Sequence, residues 1–526
     1  MVTKGAATKK RCYQAGKSYS LWLFSFLICF FLAKNVSGQS VENYNDTYRP
    51  QFHFSPARNW MNDPNGLVFS GRKYHLFFQY DPSGSEPLHA VWGHAVSEDL
   101  VHWKELPVAI PEENGIMAAS GSAVIDWKNS SGFEENGRPP LVAFYGGVRA
   151  GDLRIDLAYS SDAGGTWKQY KGNPILGDAQ NFRDPKVFWY APGNIWVMAI
   201  SGGSKVRFYE SLDLSEWKFM SEFGPPGVSG GSWECPDLFP LAVDDNPGDV
   251  KWVLVVSVTS RGGVVGDLGV QYFIGQFNGR KFIVDKSSSK HPHWADYGKD
   301  FYAAQSFSDI SRSDGRRIWI GWMNNWLYAQ KVPTKPWRGA QTIPRQLSLR
   351  TFSDGVRLVQ QPVPELKKLR GKLHEFRNVN LGRTDSLFES KEMNGNTLEI
   401  EAEIRMKRAS KFGFEVRKSE TQRTIIGYDA VRHDLFIDRS KSGITDFSKK
   451  FSGLQTVQVS DSSRILRLHI FVDWSSVELF AEDGKVVITN LVFPSRKSSG
   501  FDFLVSKGTV ELMDLKVWHL KSIWRN

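Results

Sequence analysis

Apolar and polar positions alternate in short blocks along nearly the whole chain. From about residue 52, runs such as Tyr74-His75-Leu76-Phe77-Phe78-Gln79-Tyr80, Leu141-Val142-Ala143-Phe144-Tyr145, Trp196-Val197-Met198-Ala199-Ile200 and Trp252-Val253-Leu254-Val255-Val256 are separated by turn-forming residues. Their length and their β-branched and aromatic content predict strands. No stretch shows a convincing amphipathic helical period, so the expected class is all-β. Ser97-Glu98-Asp99-Leu100-Val101-His102-Trp103 is echoed by Ser211-Leu212-Asp213-Leu214-Ser215-Glu216-Trp217, with Ser161-Asp162-Ala163-Gly164-Gly165-Thr166-Trp167 between them. Gln276-Phe277-Asn278-Gly279-Arg280-Lys281-Phe282 is a looser fourth copy. A period of one four-stranded sheet plus loops is the mark of a propeller blade. Four visible units, with sequence continuing to about residue 350, predict a five-bladed β-propeller.

The proline-bearing, charged stretch from Gln360 to Leu369 marks a boundary. Beyond it, Asn396 to Ile404 alternates polar and apolar residues as a half-buried strand does. Leu466–Val472 and Ser476–Phe480 read as a hairpin-rich sheet, and the region to Trp518 is long enough for a C-terminal β-sandwich. The expected domains are a signal peptide over 1–38, a loose polar leader over 39–51, a propeller over 52–355, a linker over 356–375 and a sandwich over 376–522.

The N-terminus carries Lys4, Lys9, Lys10, Arg11 and Lys17, then an almost wholly apolar run from Leu21 to Ala33, then Val36-Ser37-Gly38. That order is a secretory signal, and the run is short for a membrane span. The chain is therefore expected to be secreted, with a signal anchor as the weaker alternative and no stable membrane span. The formal charge of +10 is partly borne by this segment. Without it the chain is only mildly basic, and no Lys/Arg stripe with interleaved aromatics points to nucleic acid. Cys12 and Cys29 leave with the signal, so Cys235 remains alone and no intrachain disulfide can form. Asn45 and Asn129 head glycosylation sequons. His291-Pro292-His293 is the only close histidine pair and reads as loop, so no metal is expected; no glycine loop in the required context implies a cofactor.

Candidate chemistry rests on three carboxylates. Asp63 lies in Asn59-Trp60-Met61-Asn62-Asp63-Pro64-Asn65-Gly66, Asp184 in Phe182-Arg183-Asp184-Pro185, and Glu234 in Trp233-Glu234-Cys235-Pro236-Asp237. Each stands one or two residues before a proline, which fixes its own backbone and restricts the residue before it. One such acid is most simply a capped turn. Three in an aromatic-rich chain fit acid–base work on a sugar bond.

With these motifs, and with Phe78-Gln79-Tyr80, Trp92-Gly93-His94, Ser120-Gly121-Ser122, Pro336-Trp337-Arg338-Gly339 and Asp473-Trp474-Ser475-Ser476-Val477-Glu478-Leu479-Phe480, the chain resembles glycoside hydrolase family 32 from about residue 50 to 520. The resemblance implies a five-bladed propeller carrying a β-sandwich. It implies Asp63 as nucleophile, Glu234 as general acid/base and Asp184 as the carboxylate that holds fructose hydroxyls and stabilises the transition state. Asn62, Gln79 and Ser122 match hydroxyl-binding positions, Arg183 would pin Asp184, and Trp60 and Trp337 would wall the pocket. Neighbouring negative charge should raise the Glu234 pKa. With 19 tryptophans in the chain, blade packing accounts for most of them.

The implied activity is secreted, retaining removal of terminal β-D-fructofuranosyl residues from sucrose, inulin or levan. A fructosyltransferase with the same acids and a non-catalytic fructan-binding protein are the alternatives. One departure stands out: Ser85-Glu86-Pro87-Leu88-His89-Ala90 lacks the tryptophan that family members usually carry before Trp92-Gly93-His94. Asn324-Asn325-Trp326-Leu327-Tyr328 looks more like microbial exo-acting members than plant invertases.

Overall fold

The computed structural model describes residues 44–525 apart from 151, 178–181, 264–265, 290–291, 312, 383–390 and 460–463. The expected signal peptide, residues 39–43 of the leader, and His291 lie outside the described residues.

Five antiparallel sheets of four main strands follow one another in sequence, and their innermost strands close a ring. These innermost strands are Asn59–Ser70, Met117–Ile125, Phe182–Tyr190, Ser232–Val243 and Tyr302–Ser306. Each blade runs from the axis outward by hairpins, as in blade III, where Phe182–Tyr190, Ile195–Gly202, Val206–Ser211 and Lys218–Phe223 pair in order. The fold is all-β, a five-bladed propeller followed by a two-sheet sandwich.

The repeated motif has a structural cause. All four copies sit at the turn between the third and outermost strands of blades I to IV. Asp99 Oδ1 accepts the backbone N–H groups of Val101 and His102, and Asp213 Oδ1 those of Ser215 and Glu216. The indoles of Trp103 and Trp217 then donate at 3.0 Å to the carbonyls of Leu100 and Leu214. Those two leucines adopt left-handed φ values of 65° and 67°. Asp162 in blade II and Asn278 in blade IV accept backbone N–H groups in the same way. A carboxylate or amide that caps free N–H groups lets the chain reverse without losing hydrogen bonds.

The sandwich packs a six-stranded sheet, from Arg370–Gly382 to Val486–Leu491, on a five-stranded sheet of Leu454–Gln458, Asp434–Lys441, Arg423–Asp429, Lys411–Lys418 and Gly500–Val505. Their facing side chains form one large aliphatic core that includes Ile400, Phe414, Ile426, Leu468 and Val517. The expected linker over 356–375 is shorter in the structure. Gly355–Pro362 is the outer strand of blade V and Arg370 opens the sandwich, leaving only a short 3-10 turn, Pro364–Leu369, between them.

The described part of the leader is not loose, a second correction. Arg49 is buried, and its guanidinium reaches Asp46, Ser55 and the carbonyls of Pro56 and Ala57. A polar segment can be fully packed when every donor finds an acceptor. Propeller and sandwich are joined across buried charge. His53 lies 2.8 Å from both Asp473 and Glu478, and Arg345 bridges Glu478 and Asp296.

Candidate active site

Every innermost strand breaks its pairing register near one end of the propeller axis. The breaks fall at Met61/Pro64, Ala118/Gly121, Glu234/Asp237 and Tyr302/Gln305, and in blade III opposite Ala199/Ser201. A bulge re-aims side chains, and it is one of the few places inside a sheet where proline fits. Pro64, Pro185 and Pro236 occupy these positions, so the Asp-Pro motifs are strand bulges and not loop turns. Asp184, Cys235 and Ala303 take φ values of 58°, 47° and 52° there. Left-handed backbone at non-glycine residues costs free energy and persists where surrounding structure imposes it.

The bulges bring Asp63, Asp184 and Glu234 together. Asp63 is buried and accepts from Ser120 Oγ at 2.7 Å and Asn62 Nδ2 at 3.0 Å, with the Cys235 thiol at 3.4 Å. Asn62 is itself fixed by the Trp60 indole, which donates to its Oδ1 at 2.6 Å. Asp184 accepts the Cys235 backbone N–H at 2.9 Å and lies 3.7 Å from Arg183 Nε. Glu234 is partly exposed. Arg183 Nη2 donates to its Oε1 at 2.7 Å and Tyr302 Oη to its Oε2 at 2.6 Å. Gln79 stands behind Ser120, its Oε1 3.2 Å from that hydroxyl.

Burial dominates the electrostatics. It raises all three acids above ordinary carboxylate values, Asp184 to about 7. For Asp63, donation by Ser120, Asn62 and Cys235 opposes that rise. For Glu234, Arg183 and Tyr302 oppose it, and the Asp63 charge adds to it. The expected direction for Glu234 holds, but desolvation leads and neighbouring charge is secondary. The Cys235 thiol is pushed up by burial and by Asp184 and Asp63, so it remains a protonated donor.

Two expected pocket residues lie elsewhere. Ser122 is buried deeper along the axis, where its Oγ accepts the Val187 N–H at 2.9 Å; Ser120 takes the place beside Asp63. Trp337 is buried under the Arg49 guanidinium, among Met323, Tyr328 and Phe451. Trp60 is buried beside the acids through its bond to Asn62, and its ring stacks on the partly exposed Trp326 with centroids 5.7 Å apart. Trp92 is fully buried against Phe77 and Tyr145. It does not replace the tryptophan missing from Ser85–Ala90. That loop is held without an aromatic, by Asp81 accepting the N–H groups of Leu88 and His89 and by Arg338 donating to the Ser85 carbonyl. Sequence reading missed Ser120 as the contact, Tyr302 and the Cys235 thiol. Ser120 carried a signal as the other end of Ser120-Gly121-Ser122, and Cys235 as the neighbour of Glu234 in its motif; Tyr302 carried none.

Among the described residues, Glu399, Glu401 and His469 form a cluster that could hold a metal ion. The Arg370 guanidinium already occupies it, at 2.7 Å from Glu399 and 2.5 Å from Glu401.

Comparison with known proteins places this architecture. Residues 53–362 match the glycosyl hydrolases family 32 N-terminal domain, and residues 365–519 the family's C-terminal domain. A levanase of Bacillus subtilis is 45% identical, over 98% of this chain and 76% of its own length. An extracellular exo-inulinase of Aspergillus awamori is 38% identical, over 92% of this chain and 96% of its own. The crystal structure of the exo-inulinase from Aspergillus awamori superposes with a TM-score of 0.86 at 37% identity, covering 91% of this chain and all of that one. A β-fructofuranosidase of Schwanniomyces occidentalis complexed with fructosyl-erythritol gives 0.82 at 28% identity, covering 91% and 98%. Two domain models that together span most of the chain, in the order and at the boundary the fold displays, establish that this protein belongs to glycosyl hydrolase family 32 and is a glycosidase.

Proposed function

We propose that the protein is a retaining exo-β-fructofuranosidase that releases terminal fructose from sucrose and β-fructans. The observation that carries the proposal is the division of labour among three clustered acids. Asp63 is held by three uncharged donors, Ser120, Asn62 and Cys235, whereas Glu234 is partly exposed and gripped at both oxygens by Arg183 and Tyr302. In the first step an Asp63 oxygen bonds to the anomeric carbon as the bond to the leaving oxygen breaks, and the Glu234 proton passes to that oxygen. In the second, water attacks the anomeric carbon, its proton goes to Glu234, and Asp63 leaves. Asp184 and Arg183 hold sugar hydroxyls through both steps, and charge developing on the ring is offset by the Asp184 carboxylate.

Relatives named as levanase, exo-inulinase and invertase support the substrate class. Export from the cell is part of the same proposal, supported by the basic-then-apolar N-terminus and by the extracellular exo-inulinase. The test is product analysis after incubation with sucrose, inulin and levan. Free fructose as the sole new monosaccharide from the polymers is expected. Longer fructosides growing from sucrose, or no release from any of the three, would contradict it.

A further inference from the structure

A second cavity, of about 820 Å³, opens at the other end of the propeller axis. Asp184 and Trp189 lie on the same innermost strand, Phe182–Tyr190, five residues and about 17 Å apart. Asp184 faces the acids and Trp189 lines this cavity. A buried polar plug separates the two ends. Lys186 Nζ donates to the Ser306 carbonyl at 2.7 Å and lies 3.3 Å from Asp237, which in turn accepts the Ser306 N–H at 2.6 Å. The far cavity is therefore a separate compartment from the catalytic pocket.

Its lining is aromatic and fixed. Trp127 is 65% exposed, yet its indole is anchored by donation to Asp309 Oδ1 at 3.0 Å, and Asp309 Oδ2 accepts the Ile125 N–H at 2.9 Å. Trp189 packs edge-on against Trp196 with centroids 5.1 Å apart, and Lys128 Nζ sits 4.3 Å above its ring while donating to Asn194. Trp252 and Tyr190 complete the wall. An exposed indole is costly in water, and holding it still removes the ordering cost of binding.

The volume lies within the roughly 300–1,000 Å³ of ligand pockets. A concave site lined by the indoles of Trp127, Trp189 and Trp252 and by Lys128, Asp309, Arg317 and serine hydroxyls matches sugar rings. Their C–H faces stack on aromatics and their hydroxyls take the polar rim.

We propose that this cavity is an auxiliary binding site for the chain of a neutral polysaccharide, specifically the β-fructan whose free ends the catalytic pocket receives. The choice of fructan rests on the function proposed above. A long polymer held behind the propeller keeps its other ends at high local concentration near the catalytic pocket, a gain that sucrose cannot share.

The test is affinity electrophoresis of the full chain in gels containing inulin or levan, in the Asp63→Asn background so that the polymer survives. Excess sucrose is added to occupy the catalytic pocket. Retardation that persists in sucrose, is lost on adding Trp127→Ala and is kept with Trp127→Phe is the expected result. In the active protein, Trp127→Ala should leave kcat/KM for sucrose unchanged and raise KM for long fructan roughly three- to tenfold. Retardation abolished by sucrose alone, or unaltered by Trp127→Ala, would overturn the site. Retardation only by a non-fructan polysaccharide would overturn its occupant. Failure of the catalytic reading shows separately, as absent sugar release with retardation intact.

Discussion

Tyr302 donates its phenolic hydrogen to Glu234 Oε2 at 2.6 Å, while Arg183 holds the other oxygen of the same carboxylate at 2.7 Å. Both contacts favour the ionised form of Glu234, against the burial that raises its pKa. Removing the phenol in Tyr302→Phe leaves burial less opposed, so the Glu234 pKa rises. Glu234 must be protonated to act as the acid, and a higher pKa keeps it protonated to higher pH. The alkaline limb of kcat/KM should move up by about half a unit to one unit. The maximal rate should fall roughly tenfold as the carboxyl loses one of its two restraints. A pH–rate profile with an unmoved alkaline limb would contradict the role given to Tyr302.

Asp184 shows what the site costs the fold. Burial pushes its pKa to about 7, against the Arg183 charge that pulls it down. A folded-state pKa above the unfolded value of 3.8 means that folding is penalised whenever the group ionises. That penalty is absent below about pH 4, grows as pH rises, and is complete above about pH 7. Asp184→Asn is therefore expected to stabilise the protein at pH 8, by up to about 4 kcal/mol, and to have little effect at pH 4. Activity should fall by roughly 10²-fold or more. Thermal melts of both proteins at the two pH values check this; equal melting temperatures at pH 8 would contradict it.

His53 ties the propeller to the sandwich. Burial disfavours its charge, but the hydrogen bonds and negative charges of Asp473 and Glu478 together outweigh burial and raise its pKa to about 9. For a base raised above its unfolded value of 6.5, the stabilisation is fully present below pH 6.5 and is lost as pH climbs through 9. The melting temperature should decline across that window in the native protein. The decline should be absent in His53→Gln, which cannot titrate. His53→Leu leaves buried Asp473 without its hydrogen-bonded cation, while Glu478 keeps Arg345, and should cost about 3–5 kcal/mol. A native melting curve flat from pH 6.5 to 9.5 would contradict the charged clamp.

Much of the fold was legible before the structure because strand patterning and the Ser/Asp turn both report local physics. Asp99 and Asp213 cap the same turn in blades I and III, with the Asp162 copy of blade II between them, so the blade repeat sets their spacing. The acids were legible because each precedes a proline. What the prolines do was not. Turn and bulge share the same residues, and only the partner strand distinguishes them. The same ambiguity hides the choice between Ser120 and Ser122. They sit two apart, so an unbroken strand would put both on one face. The register break at Ala118/Gly121 aims Ser120 at Asp63 and leaves Ser122 deeper on the axis, bonded to Val187. Trp337 was misplaced because nearness to a motif in sequence is not nearness in space; its ring lies under Arg49, a residue of the supposedly loose leader. Tyr302 stands in Phe301-Tyr302-Ala303-Ala304, which has nothing to mark it as a partner of Glu234.

The most direct test of Asp63 as nucleophile and Glu234 as acid/base is to catch the covalent intermediate. The protein would be mixed with sucrose, quenched in acid within the first turnovers, digested, and its peptides weighed. The peptide containing Asp63 should carry the mass of one fructosyl unit, and Asp63→Asn should abolish both the adduct and turnover. An adduct on the peptide of Asp184 or Glu234, or full turnover by Asp63→Asn, would contradict the assignment.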